Sequence, residues 1–208
     1  MISLRYTLIG CLLILFSNSS LAQLSAFKKL YKPERLWVMR HPFVSSKALR
    51  LTKQVLNICG SEEVKKQLDT LSSGGKLDAF RHIYWMAMLT EALGEKRAHS
   101  LGVAHEKANY IQYQQKLVEE RELPDYPSSV MDSLNNLIGI QLGINWKKNN
   151  QKGNWKEVVD TILAGECYIL KRDQLGNYLT CNDSIIPRSD LKIWRNDKCV
   201  VKLNSLKK

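Results

Sequence analysis

The sequence predicts a mainly helical fold that carries a small, disulfide-linked β region at its C-terminal end. Three observations point there. Apolar residues recur every three or four positions through long stretches between residues 46 and 163, which is the helical period. Glycines fall at the ends of those stretches, where helices commonly stop. After residue 165 the pattern changes to short β-prone runs, and three of the five cysteines lie there.

In chain order, residues 1–6 hold Arg5 and no acid, and Thr7–Phe16 is apolar. That run, about ten residues, is too short to span a bilayer. Ser20-Leu21-Ala22 then sets small residues at both positions that a signal peptidase reads. Residues 1–22 are therefore expected to be a cleaved signal peptide. The mature protein is expected to be exported, periplasmic or secreted, with no transmembrane span. Leu8-Ile9-Gly10-Cys11 resembles a lipoprotein box only loosely, because the apolar run continues past Cys11. Cleavage lowers the net charge by one, from +11 to +10. It leaves Cys59, Cys167, Cys181 and Cys199, which allow up to two disulfides in three connectivities.

Residues 23–164 are expected to form the helical domain. A helix over Ser46–Cys59 stops at Gly60, another starts after Ser61, and Ser72-Ser73-Gly74-Gly75 is a flexible break. Lys76–Leu93 is the best-defined helix, with Leu77, Phe80, Tyr84 and Met88 as a buried stripe and Gly94 as its stop. A second long helix runs from Glu95 to about Glu122. Pro124-Asp125-Tyr126-Pro127 reads as an extended connector, and Ser128 or Ser129 caps a third long helix ending at about Leu142, before Gly143. A basic loop over Lys147–Gly153 precedes a helix at Trp155–Leu163. Residues 165–208 form the β appendage, expected as two hairpins: 167–171 with 178–181, and 191–194 with 199–203.

The chemistry-bearing residues fall on the three long helices. Asp78 and His82 are four apart and share a face, with Arg81 beside them. His82 lies 12 residues before Gly94 and His105 lies 11 after it. In an antiparallel pair turning at Gly94, each sits roughly 17 Å from the turn, so the two are level. The same count sets Asp78 opposite Asn109, while Asp132 and Asn136 share a face of the third helix. Converging His, Asp and Glu side chains suit a divalent ion such as Zn, Mn or Mg. The expected ligands are Asp78, His82, His105 and Asp132. His82, His105, Glu106 and Asp132 are the catalytic candidates, with Arg81 and Asn136 binding substrate. The order His82, His105-Glu106, Asp132 loosely resembles helical metal-dependent phosphohydrolases of the HD type, except that Glu106 replaces the Asp of the doublet. The zincin signature is absent, since Asn109 stands where its second His would be. In the alternative reading the same residues form a structural hydrogen-bond network in a non-catalytic binding module.

Asp78-Ala79-Phe80-Arg81-His82-Ile83-Tyr84-Trp85, then His105-Glu106, then Met131-Asp132-Ser133-Leu134-Asn135-Asn136-Leu137-Ile138-Gly139 resemble the motifs D-A-x-R-H-x-x-W, H-E and M-D-x-x-N-N-x-x-G. These belong to an uncharacterised bacterial family of secreted helical domains, some relatives of which end large toxin-like proteins. The resemblance spans about residues 74–143 and implies that these polar residues belong to one site. It supplies no activity. A toxin-like role rests on that analogy alone.

The charge narrows the partners. A surplus of this size favours an anionic partner, and export disfavours nucleic acid. An anionic envelope surface or lipid head groups are the expected partners. A metal-assisted hydrolase of a phospholipid or phosphoester is the expected function.

Overall fold

Helix Lys76–Leu93 forms the centre of the molecule because it is apolar on nearly every side. Ala79, Phe80, Ile83, Met86, Ala87 and Leu89 along it are fully buried, which is the signature of a helix surrounded by others rather than lying on a surface. The computed structural model describes residues 25–117 and 122–207. The expected signal peptide therefore lies outside the described residues. In chain order the helices are α1 (residues 25–29), α2 (Lys32–Arg40), α3 (Pro42–Cys59), α4 (Glu62–Gln67), α5 (Lys76–Leu93), α6 (Glu95–Gln114), α7 (Tyr126–Lys148) and α8 (Trp155–Leu163). None of them is long and apolar enough to cross a membrane.

The two sides of α5 carry different cores. Phe80, Tyr84, Trp146, Val158 and Ile162 join it to α7 and α8 on one side. Trp37, Met86, Leu89, Leu101 and Ile140 join it to α2, α6 and a second part of α7 on the other. Helix α7 approaches α5 most closely. A Cβ at Gly139 would stand 2.2 Å from the carbonyl oxygen of Ile83, and one at Gly143 would stand 2.4 Å from that of Ala87. Gly143 therefore does not end the helix near Leu142 as expected. It lets α7 continue past α5 to Lys148. The start of α7 also differs. Asp125, not a serine, is the N-cap, its carboxylate accepting from Ser128 N at 2.8 Å, and Tyr126-Pro127 form the first turn rather than a connector.

Helix α6 stops at Gln114, short of the expected end. Lys116 adopts a left-handed conformation (φ 54°), which breaks the helix. Ser61 caps α4 as expected, accepting from Val64 N. Pro42 occupies the first turn of α3, so that helix begins before Ser46.

The β region is small. Strand β1 (Tyr168–Leu170) pairs antiparallel with β2 (Val200–Lys202), in a register setting Tyr168 opposite Lys202. Of the two expected hairpins, the first is reduced to the tight connection over 173–177, closed by an Arg172–Tyr178 bridge and a bond from Leu179 N to the Lys171 carbonyl. The second is not formed, and Asp190–Lys192 is a 3-10 turn. The reason for the second lies in Trp194. Its backbone N–H donates to the Tyr113 hydroxyl and its carbonyl accepts from Tyr126 N, while its ring packs between Tyr110 and Tyr113. Those groups are thus taken by the helical domain instead of a strand partner. A single disulfide, Cys181–Cys199, ties the region together, and Cys59 and Cys167 are buried thiols. Burial pushes the Cys167 thiol up to about 12. Met131 of α7 packs with Leu170, Tyr178 and Ile186, which seats the region on the helices.

Candidate metal centre

The α5–α6 turn at Gly94 produces the level arrangement expected from the sequence. The imidazoles of His82 and His105 face each other with ring centres 6.2 Å apart. Helix α7, drawn in by Gly139, brings Asp132 to the same height. His82 Nε2 lies 3.3 Å from Asp132 Oδ1 and 3.6 Å from Asp78 Oδ1. Asp78, His82 and Asp132 each offer one ligand atom, all within 4.8 Å of one another, and all three residues are buried. Among the described residues this is a group able to hold a metal ion.

The surroundings define the chemistry of that group. His82 Nδ1 donates to Asn136 Oδ1 at 3.2 Å, which places the imidazole lone pair on Nε2, facing the two carboxylates. Burial, with Arg81 and His105 nearby, holds His82 well below its usual range, so the ring is neutral. Asp78 accepts from Gly74 N at 2.7 Å and from Arg81 Nη2 at 2.6 Å. Burial nevertheless raises its carboxyl, and Arg81 and the Gly74 bond only partly oppose that. A lone pair and two carboxylates are therefore gathered where water is largely excluded. A cation among them would lift both penalties. The donor set, one imidazole nitrogen and two carboxylate oxygens, suits a divalent ion such as Zn, Mn or Mg.

The other expected residues take separate places. His105 stands across from the group, its Nδ1 3.2 Å from Glu34 Oε1 and its ring edge-on to Trp85. Glu106 lies behind it and does not line the cavity. Burial pushes its carboxyl up to about 7, against the opposing pull of His105, Ser129 and Asn109. Asn136 backs His82 and does not reach the cavity. Arg81 does line the cavity while pairing with Asp78. Of the family-motif residues outside the cluster, Asn135 holds Tyr168 through both its amide groups and so ties α7 to β1. Gly139 gives the close approach to α5.

The cluster opens into a cavity of about 300 Å³, at the lower end of the range for small-molecule sites. Its lining includes Glu34 of α2 and Glu122, which sequence reasoning missed. Glu34 occupies the first turn of α2, with Oε2 accepting from Tyr31 N at 3.1 Å, a pattern that reads from sequence as capping alone. Glu122 accepts from the Tyr178 hydroxyl at 2.6 Å. Buried Lys198 lies 2.7 Å from Asp125 and 3.6 Å from Glu122, so the C-terminal region braces this wall of the cavity. That network joins residues more than 50 positions apart and carries no local signal.

The chain matches no curated protein and no solved structure. A family match covers residues 35–166, more than half of the 208 residues, and includes Asp78, Arg81, His82, His105 and Asp132. The chain belongs to the family described as a domain of unknown function (DUF6973).

Proposed function

We propose that the protein is an exported, metal-assisted hydrolase acting on an anionic ester or phosphoester, with phospholipids of the cell envelope as the leading substrates. The observation that carries this reading is the convergence of Asp78, His82 and Asp132 at the head of a cavity. A divalent cation held there would acidify a water molecule and polarise the scissile group. His105, standing across from the cluster, would be the residue placed to accept a proton from such a water. Glu34 accepts from its Nδ1–H, which fixes the tautomer and makes Nε2 the basic nitrogen. Arg81, on the cavity wall, receives the anionic group of the substrate, and Asn136 keeps His82 oriented. Glu106, poised near neutrality, is a reserve for protons behind His105. The disulfide is compatible with export.

A second reading is favoured by one observation. Arg81 already contacts Asp78 at 2.6 Å, so the network can close without a cation, as in a structural core of a binding module. Assay of the purified protein on a phospholipid and a soluble phosphodiester, with Mn²⁺ or Zn²⁺ and with chelator, separates the two. The hydrolase reading expects cation-dependent turnover that falls at least a thousandfold in His82→Ala and Asp132→Asn. Folded variants with unchanged rates, or no turnover under any of these conditions, favour the structural network.

A further inference from the structure

The cavity changes character along the α5–α6 pair. Asp78, His82, His105 and Asn109 line one end. One helical turn closer to Gly94 the lining residues are Trp85 and Leu101, joined by Trp37, Val38, Ala48 and Val55 from α2 and α3. The shift from Asp78 to Trp85 spans seven residues, a rise of about 10 Å. Both indole N–H groups are already satisfied, Trp85 by Thr52 Oγ1 and Trp37 by Ser100 Oγ, each at 2.8 Å. They therefore offer the cavity apolar ring surface and no donor. The hydroxyls of Ser45 and Thr52, which also line the cavity from α3, donate to the Pro42 and Ala48 carbonyls, so this part of the cavity presents mainly apolar surface. It also reaches solvent, because Leu56, which lines it from α3, is 51% exposed.

We propose that this apolar limb is a binding site for one aliphatic chain of an anionic lipid, seating the chain so that the head group lies against Arg81 and the Asp78–His82–Asp132 cluster. The inference rests on the hydrolase reading for the orientation of the head group, and deepens it by naming the substrate class. The charge distribution agrees. Residues 25–60, which form the helices flanking the limb, hold eight Lys or Arg and one acid, Glu34, and that acid is turned onto His105. An anionic amphiphile thus meets a basic surface on the way in and an apolar wall inside.

The test is a binding series that does not depend on turnover. The purified protein in chelator is titrated calorimetrically with hexyl, octyl, decyl and dodecyl phosphate below their micelle concentrations. Each added methylene buried in the limb tightens Kd about fourfold until the limb is full. Ala48→Phe, which fills the limb, flattens the series. Leu49→Glu, at a half-buried position lining the limb, raises Kd for decyl phosphate at least tenfold. Asp132→Asn keeps the chain-length slope. The slope therefore survives even where the hydrolase reading fails, and lost turnover with an intact slope sinks that reading alone. Co-sedimentation with phosphatidylglycerol vesicles distinguishes the sources of the chain: binding there points to a bilayer lipid, and binding to monomers alone points to a free single-chain lipid. A Kd independent of chain length in the wild-type protein overturns the proposal.

Discussion

A hydrogen bond from His82 Nδ1 to Asn136 places the lone pair of a neutral imidazole between two carboxylates, and much of the chemistry follows from that placement. Glu106 offers a test at the same scale. Its carboxyl is held up at about 7, mainly by burial, against about 4.3 in an unfolded chain. Between those two values the folded state binds the proton that the unfolded state has released. Stability contributed by the neutral carboxyl is present at pH 4 and is lost as pH rises toward 7. Chemical denaturation of the metal-free protein is expected to show that fall, and Glu106→Gln is expected to remove it. An unchanged slope in the variant would mean that Glu106 is solvated and ionises normally.

At the scale of elements, the close crossing of α5 and α7 makes the site, because it alone brings Asp132 to His82. Gly139→Ala would drive a methyl group onto the Ile83 carbonyl, since its Cβ falls 2.2 Å from that oxygen. A cost of about 3 kcal/mol is expected in denaturant unfolding, the upper part of the usual overpacking range. A variant as stable as wild type would show that the helices part easily. The same crossing shows what the sequence could and could not reveal. Lys76–Leu93 and Trp155–Leu163 were readable to the residue, because apolar period and terminal signals agreed. The level of His82 and His105 followed from counting residues to Gly94. Gly143, however, reads locally as a helix stop, and only a neighbouring helix reveals it as a point of approach. Glu34 was hidden for a similar reason, since a helix-start glutamate has an adequate local explanation. The strand pairing was not legible because Trp194 is recruited by Tyr110 and Tyr113, about 80 residues earlier in the chain.

For the whole molecule, the helical core and the C-terminal region act together. Lys198, next to the disulfide-bonded Cys199, braces the wall that carries Glu122 and Asp125, while Met131 anchors that region one residue before Asp132. Part of the basic surplus, eight Lys or Arg against one acid, lies on residues 25–60, beside the cavity. The central claim is that this assembly presents a divalent-cation site, and thermal unfolding of the chelator-treated protein with and without Mn²⁺ or Zn²⁺ tests it most directly. Cation at a hundred times Kd is expected to stabilise the fold by about 2.7 kcal/mol, with the shift absent in Asp132→Asn. In Asn136→Ala the cation is expected to bind about 10–100-fold more weakly. A melting temperature that does not respond to either cation, or responds equally in Asp132→Asn, would contradict the account.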